Sequence, residues 1–388
     1  MAQNKIPILD LKPQYRAIQE EIKAAVDRVL ESGQFVLGSE VQQFEIDAAQ
    51  HLGVKHAIGV NSGTDALVIG LRAAGVKPGD EVITTPFSFF ATAESISMVG
   101  AQPIFVDIDA TSFNLNPAQI RAAITPKTKA ILPVHLFGNP APMVQILDIA
   151  AEHGLKVVED CAQSFGAVYK GDCIDYAQSY QNDIRDRLVG QFTGAMGDAG
   201  AFSFFPTKNL GAYGDGGLLT TNNDEIATMA RKLRVHGALK RYHNEILGYN
   251  SRLDAMQAAI LGVKLLYVSQ WNQQRRQVAA TYNRLLVNVA EVITPTITDG
   301  HVFHQYTVRI SNGQRDAVKA YLAEHDIGAM VYYPIPQDRL PVYDGQFPTY
   351  PVSEQVAAQV LSLPIWPEIE APVQERVVAV LKEAIAAT

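Results

Sequence analysis

Five short apolar runs, separated by stretches with helical periodicity, constrain the fold of this 388-residue chain more than any other feature. The runs are His56-Ala57-Ile58-Gly59-Val60, Glu81-Val82-Ile83-Thr84-Thr85, Pro103-Ile104-Phe105-Val106-Asp107, Ala130-Ile131-Leu132-Pro133-Val134 and Lys156-Val157-Val158-Glu159-Asp160. Each has the length and apolar content of a buried strand. Between them, residues 65–74, 116–124 and 143–153 repeat apolar positions every three or four residues. Such alternation predicts an α/β architecture, a mostly parallel sheet covered by helices. Ligands of such sheets sit beyond the carboxyl ends of the strands.

The pattern changes near Leu253, where a long helical run extends to Leu285 and is followed by β-rich pieces at 301–310 and 327–333 and a last helix from about Val373. The expected organisation is a large domain over residues 1–252 and a connecting helix with a smaller α+β domain over 253–388. One stretch, 172–192, breaks the alternation. Cys173, Ala177, Tyr180, Ile184 and Leu188 recur at helical spacing among charged residues, which reads as a helical excursion. It either packs on its own domain or covers a site or a subunit interface.

The net charge of -8 argues against a general nucleic-acid binder, which needs clustered cations. Two cysteines, Cys161 and Cys173, give neither a disulfide framework nor a CxxC ligand pair, so a reduced, cytoplasmic protein is expected. Pro7 interrupts the start before an apolar region forms, and no run approaches a membrane span, so neither a signal peptide nor a membrane partner is expected. No metal is expected either. HExxH is absent, and His301 and His304, three apart on an expected strand, would face opposite ways.

Chemistry concentrates at three places. Lys208 interrupts the apolar run 201–210 and precedes the glycine-dense 211–217. Desolvation there lowers a lysine's pKa and prepares its amine to attack a carbonyl and hold a Schiff base. Asn61-Ser62-Gly63-Thr64-Asp65 joins a strand to a helix, which suits a phosphate, although Ser62 or Thr64 could equally be an ordinary helix cap. Asp160 ends a strand, where its carboxylate could keep a pyridine nitrogen protonated or merely cap the next turn, and Gln163 follows three residues later.

With Gly63-Thr64, Asp160 and Lys208 in that order, the chain resembles the DegT/DnrJ/EryC1/StrS family of pyridoxal-phosphate-dependent nucleotide-sugar aminotransferases. The resemblance runs from Ile8-Leu9-Asp10-Leu11-Lys12 to Leu361-Ser362-Leu363-Pro364 and is carried most specifically by Phe202-Ser203-Phe204-Phe205-Pro206-Thr207-Lys208-Asn209 and Gly248-Tyr249-Asn250-Ser251-Arg252-Leu253-Asp254. It implies the fold-type I aminotransferase architecture, with a mostly parallel seven-stranded sheet and a smaller C-terminal α+β domain. It implies pyridoxal 5'-phosphate as cofactor, with Lys208 in the internal aldimine, Asp160 on the pyridine nitrogen and Gln163 on the ring hydroxyl. Gly63, Thr64 and Ser203 would hold the phosphate and Phe89 would stack on the ring. Asn250 would reach the phosphate of the neighbouring subunit, so the expected assembly is a homodimer with shared sites. Arg241, Tyr332 and Tyr333 would line the substrate pocket. The implied reaction moves an amino group, in this family usually from glutamate, to a nucleotide-linked keto-sugar. The opening motif and Gly-Tyr-Asn-Ser-Arg resemble relatives acting at C3 rather than C4, while the nucleotide stays open.

By the same resemblance, 172–192 is an insertion where relatives have a much shorter loop. A dehydratase branch carries histidine in place of the lysine, and Lys208 argues against it. A non-catalytic regulatory relative is the remaining alternative, and the intact lysine, aspartate and phosphate residues argue against that.

Overall fold

The computed structural model describes residues 5–171, 182–240 and 242–387. Seven strands form the main sheet: β1 (His56–Val60), β2 (Glu81–Thr84), β3 (Gln102–Phe105), β4 (Thr128–Ile131), β5 (Lys156–Asp160), β6 (Ala199–Ser203) and β7 (Gly217–Thr221). Their order is β1-β7-β6-β5-β4-β2-β3. All run parallel except β7, which is antiparallel to both neighbours. The apolar runs become strands because both faces are covered. Val60, Val82, Ala130, Val158 and Ala201 pack against the helix Gly63–Ala73 on one side, and Ile83, Ile131 and Val157 against Met143–His153 on the other. A sheet buried on both faces needs near-continuous apolar sequence.

A second sheet, β8 (Val292–Ile293), β9 (Tyr306–Ile310) and β10 (Val360–Leu363), is antiparallel in the order β10-β9-β8. Its core includes Tyr282, Phe303, Val308, Leu322, Leu363 and Leu381, and Ile6 from the start of the chain. Ile6 and Ile8 are tied in by the backbone. Ile6 N donates to Asp326 O (2.8 Å), Gly328 N to Ile6 O (2.8 Å) and Ile365 N to Ile8 O (3.1 Å).

Three expectations change. The single helical run becomes two helices, Ala255–Leu265 and Val268–Leu286, because the first packs on Lys12–Ser32 and Ser39–Leu52 while the second sends Val278, Tyr282 and Leu286 into the other core. Leu266, at the break, is 78% exposed. The strand expected from His301 starts only at Tyr306, since residues 302–304 pair with the turn 137–138 instead (Val302 N to Gly138 O, 3.0 Å; His304 N to Phe137 O, 2.8 Å). No strand forms over 327–333, which makes only isolated bridges at Ile327 and Met330.

Of the excursion 172–192, Cys173, Ala177 and Tyr180 lie outside the described residues. The helix Asn182–Leu188 follows, and Ile184 and Leu188 join the cluster of Met143, Ile146 and Tyr169.

Candidate active site

The carboxyl ends of β1, β5 and β6, with the loop after β2, surround a cavity of about 390 Å3. Gly63, Thr64, Phe89, Asp160, Gln163, Ser203, Lys208, Tyr332 and Tyr333 all border it. Nine of the eleven residues singled out from sequence thus meet in one place. Asn250 does not; it lies exposed on the surface. Arg241 lies outside the described residues.

The helix Gly63–Ala73 begins at the cavity wall, capped by Ser62, whose Oγ accepts from Asp65 N (3.1 Å). A helix start offers backbone N–H groups without intrahelical partners and the positive end of the helix dipole. Gly63 is required by proximity, since a Cβ there would stand 2.6 Å from Ser203 Cβ. The two small residues let β6 and the helix start close into one concave surface. An ordinary cap and a phosphate cradle are therefore compatible here: Ser62 caps, while Gly63, Thr64 and Ser203 face the cavity.

Asp160, 4% exposed, accepts from Thr92 Oγ1 (2.8 Å) and from Ala162 N (3.1 Å). Burial raises its pKa, against the lowering influence of these two donors and of Lys208 and His135. Two donors leave a carboxylate with unused lone pairs, and Asp160 borders the cavity. Lys208 keeps part of its surface open to the cavity, yet the surrounding protein desolvates its amine and lowers its pKa to about 8, with Asp160 opposing. Gln163 Oε1 accepts from Phe137 N (2.6 Å) and its Nε2 donates to the Tyr333 hydroxyl (2.9 Å), which leaves the second amide hydrogen available. Phe89, 59% exposed, presents its ring 6.3 Å from that of Tyr333.

Several residues on the cavity wall, and one behind it, went unrecognised in the sequence. Thr92, held by Ser88 Oγ (2.9 Å), orients Asp160. Gln337, 1% exposed, fastens the loop that carries both: its backbone N donates to Pro86 O (2.7 Å), its Oε1 accepts from Ala93 N and its Nε2 donates to Thr85 O (each 3.2 Å). His304 and Gln305 also border the cavity. The only sequence signal for these residues was polarity inside otherwise apolar segments. Arg234, a cation upstream of Asn250, turns inward to Glu45 and Gly59 O.

A carboxylate with unused lone pairs, an open helix start, an exposed aromatic and a desolvated amine around one cavity are a set that fits pyridoxal phosphate. Among the described residues, His135, Glu159 and Cys161 also lie close enough together to hold an ion. Both nitrogens of His135 are engaged, Nδ1 accepting from Ala141 N (2.9 Å) and Nε2 on Glu159 (2.9 Å).

The profile of the DegT/DnrJ/EryC1/StrS aminotransferase family matches residues 16–382. A pleiotropic regulatory protein of Geobacillus stearothermophilus is 49% identical, over 97% of this chain and 98% of its own. The UDP-N-acetyl-3-dehydro-alpha-D-glucosamine 3-aminotransferase of Acidithiobacillus ferrooxidans is 42% identical over 99% and 100% of the two chains. The crystal structure of S. venezuelae DesV in complex with a ketimine intermediate superposes with a TM-score of 0.90 at 39% identity, covering 98% of each chain.

Proposed function

Because the chain belongs to the DegT/DnrJ/EryC1/StrS aminotransferase family, whose members depend on pyridoxal phosphate, we propose that it transfers an amino group from glutamate to C3 of a nucleotide-linked keto-sugar. The observation that carries this reading is the convergence of Lys208, Asp160 and the Gly63–Thr64 helix start on one cavity. The aminating relative above acts on a 3-dehydro sugar, which supports C3.

When bound, the cofactor supplies an electron sink and carries the amino group between the two substrates. Gly63, Thr64 and Ser203 hold its phosphate through backbone and hydroxyl donors at the helix start. Asp160, oriented by Thr92 and the Ala162 N–H, keeps the pyridine nitrogen protonated. Gln163 turns its free amide hydrogen to the ring hydroxyl, and Phe89 covers the ring face. Lys208 Nζ would hold the cofactor and, once freed by the donor, would accept the proton from the donor's α-carbon and pass it on to the cofactor. A pKa near 8 suits an amine that must alternate between base and acid near neutrality. Tyr332 and Tyr333 border the space left for the sugar, and Arg241 is the cation offered to its diphosphate.

The exposed Asn250 serves the phosphate of a second copy in a homodimer. Exposed apolar side chains near the site residues in sequence, Phe205 and Tyr213 beside Lys208 and Leu247 beside Asn250, favour such a contact. Among the described residues no helix is long and apolar enough to cross a membrane. The free, buried Cys161 fits a reducing cytoplasm.

The test is incubation of the cofactor-loaded enzyme with glutamate and a panel of 3-keto and 4-keto sugar nucleotides, read by mass spectrometry. Amination of a 3-keto member is expected. A regulatory role, the name one relative bears, would show as cofactor binding without turnover on any sugar.

A further inference from the structure

His304 borders the cavity beside Lys208 and has no part in the steps above. It is 6% exposed, and its tautomer follows from a chain of fixed neighbours. Asn272 Nδ2 donates to Phe165 O (3.0 Å), so its Oδ1 is the acceptor for Asn209 Nδ2 (2.7 Å). Asn209 Nδ2 also donates to Val302 O (3.0 Å). Carbonyl oxygens only accept, so turning either amide around would set oxygen against oxygen. Asn209 therefore offers Oδ1 to His304 Nδ1 (3.2 Å), and Nδ1 must carry the hydrogen.

What remains at Nε2 is a lone pair. Burial, together with the nearby cations Lys208 and Arg275, holds the pKa of this imidazole well below its ordinary value, so the ring stays neutral. Arg275 also anchors the backbone behind it, donating to Phe303 O (3.2 Å) and His304 O (3.3 Å). Nε2 accepts a hydrogen bond from Gln305 Nε2 at 3.5 Å, a long and weak one that a substrate donor can replace.

We propose that His304 determines sugar specificity: its Nε2 is a fixed hydrogen-bond acceptor for the substituent on the carbon next to the ketone, selecting a hydroxyl or amide N–H there. This rests on the nucleotide-sugar reading above. The phosphate and ring of the cofactor are accounted for by Gly63, Thr64, Ser203, Asp160 and Gln163, which leaves His304, on the wall of the same cavity, without a role toward the cofactor and free to meet the second substrate. A sugar with hydrogen at that carbon strands a buried acceptor, and a carboxylate sets an anion against a lone pair.

The test compares kcat/KM of the cofactor-loaded enzyme for two keto-sugar nucleotides that differ only by hydroxyl or hydrogen beside the ketone. Wild type should prefer the hydroxyl sugar by about ten- to hundredfold. His304→Leu should abolish the preference, and His304→Gln, whose Oε1 still accepts, should keep part of it. A preference that survives in His304→Leu overturns the proposal, as does an equal loss on both sugars, the mark of a structural role or of a contact made only to Lys208. In nitrogen-15 NMR of histidine-labelled holoenzyme, the signal missing from His304→Leu should report a protonated Nδ1 and bare Nε2, constant across about pH 6–9. A protonated Nε2, or titration in that range, also overturns it. A wild-type enzyme active on neither sugar would instead overturn the proposed function together with this inference, an outcome distinct from an active enzyme whose preference ignores His304.

Discussion

Glu159 and Asp160 are consecutive on β5 and both are buried, yet they face opposite sides of the sheet and meet opposite surroundings. Glu159 accepts from His135 Nε2 (2.9 Å) and from the backbone N–H groups of Gly194 (2.9 Å), Met196 (2.9 Å) and Gly197 (2.7 Å). It is saturated, and it ties β5 to the turn that leads into β6. Asp160 has two donors and faces a cavity. Two desolvated lysines repeat the contrast. Lys208 borders the same cavity, whereas Lys264, 1% exposed, donates to Gly211 O and lies 4.9 Å from the centre of the Tyr213 ring. Burial lowers the pKa of both amines, to about 8 and about 7. Burial and a displaced pKa therefore do not make a site; unused bonding capacity facing open space does.

The contrast breaks if the saturated partners prove catalytic. Lys208→Ala should fold, bind pyridoxal phosphate without a borohydride-reducible bond and lose turnover by at least about 10^3. Asp160→Asn, which cannot hold the pyridinium proton, should lower kcat by about 10^2–10^3 with little change in melting temperature. Glu159→Gln should do the reverse, costing roughly 3 kcal/mol in denaturant unfolding because it sets an amide against backbone donors, while folded molecules still capture the cofactor.

The pH dependence separates the amines. Covalent capture of added pyridoxal phosphate by the apoenzyme should accelerate with pH around a midpoint near 8, as Lys208 loses its proton. For Lys264 the effect is on stability. An unfolded lysine keeps its proton up to about pH 10.5, while the folded one releases it near 7, so the unfolded state binds more protons in that window and stability rises with pH across it. Lys264→Met removes this slope. Its holoenzyme should melt above wild type at pH 7 and below, by a margin that shrinks toward pH 10, with turnover the least affected of the four variants.

The main sheet was legible because a strand buried on both faces leaves no polar alternation to confuse it, and each of the five apolar runs contributed a strand. Asp160 and Gly63 stood out as unusual residue types at or just past a strand end, and Lys208 as a cation inside an apolar run. The helix break at Leu266 was not, since no glycine or proline marks it and its cause is the separation of two cores. Nor was His304, whose strand-like neighbours suggested a ladder where the backbone pairs with 137–138. Thr92 and Gln337 act through contacts made 68 and 244 residues away, and spacing along a chain says nothing about those.

The stitching of Ile6 and Ile8 to residues 326–328 and 365 has a consequence for synthesis. As the chain leaves the ribosome, Ile6 and Ile8 wait for partners more than 300 positions downstream, so they are buried long after they are made. His304, Tyr332 and Tyr333 are likewise translated after the whole main sheet. The cavity wall is therefore complete only after residue 333 has emerged, so capture of the cofactor follows assembly of the main sheet rather than guiding it.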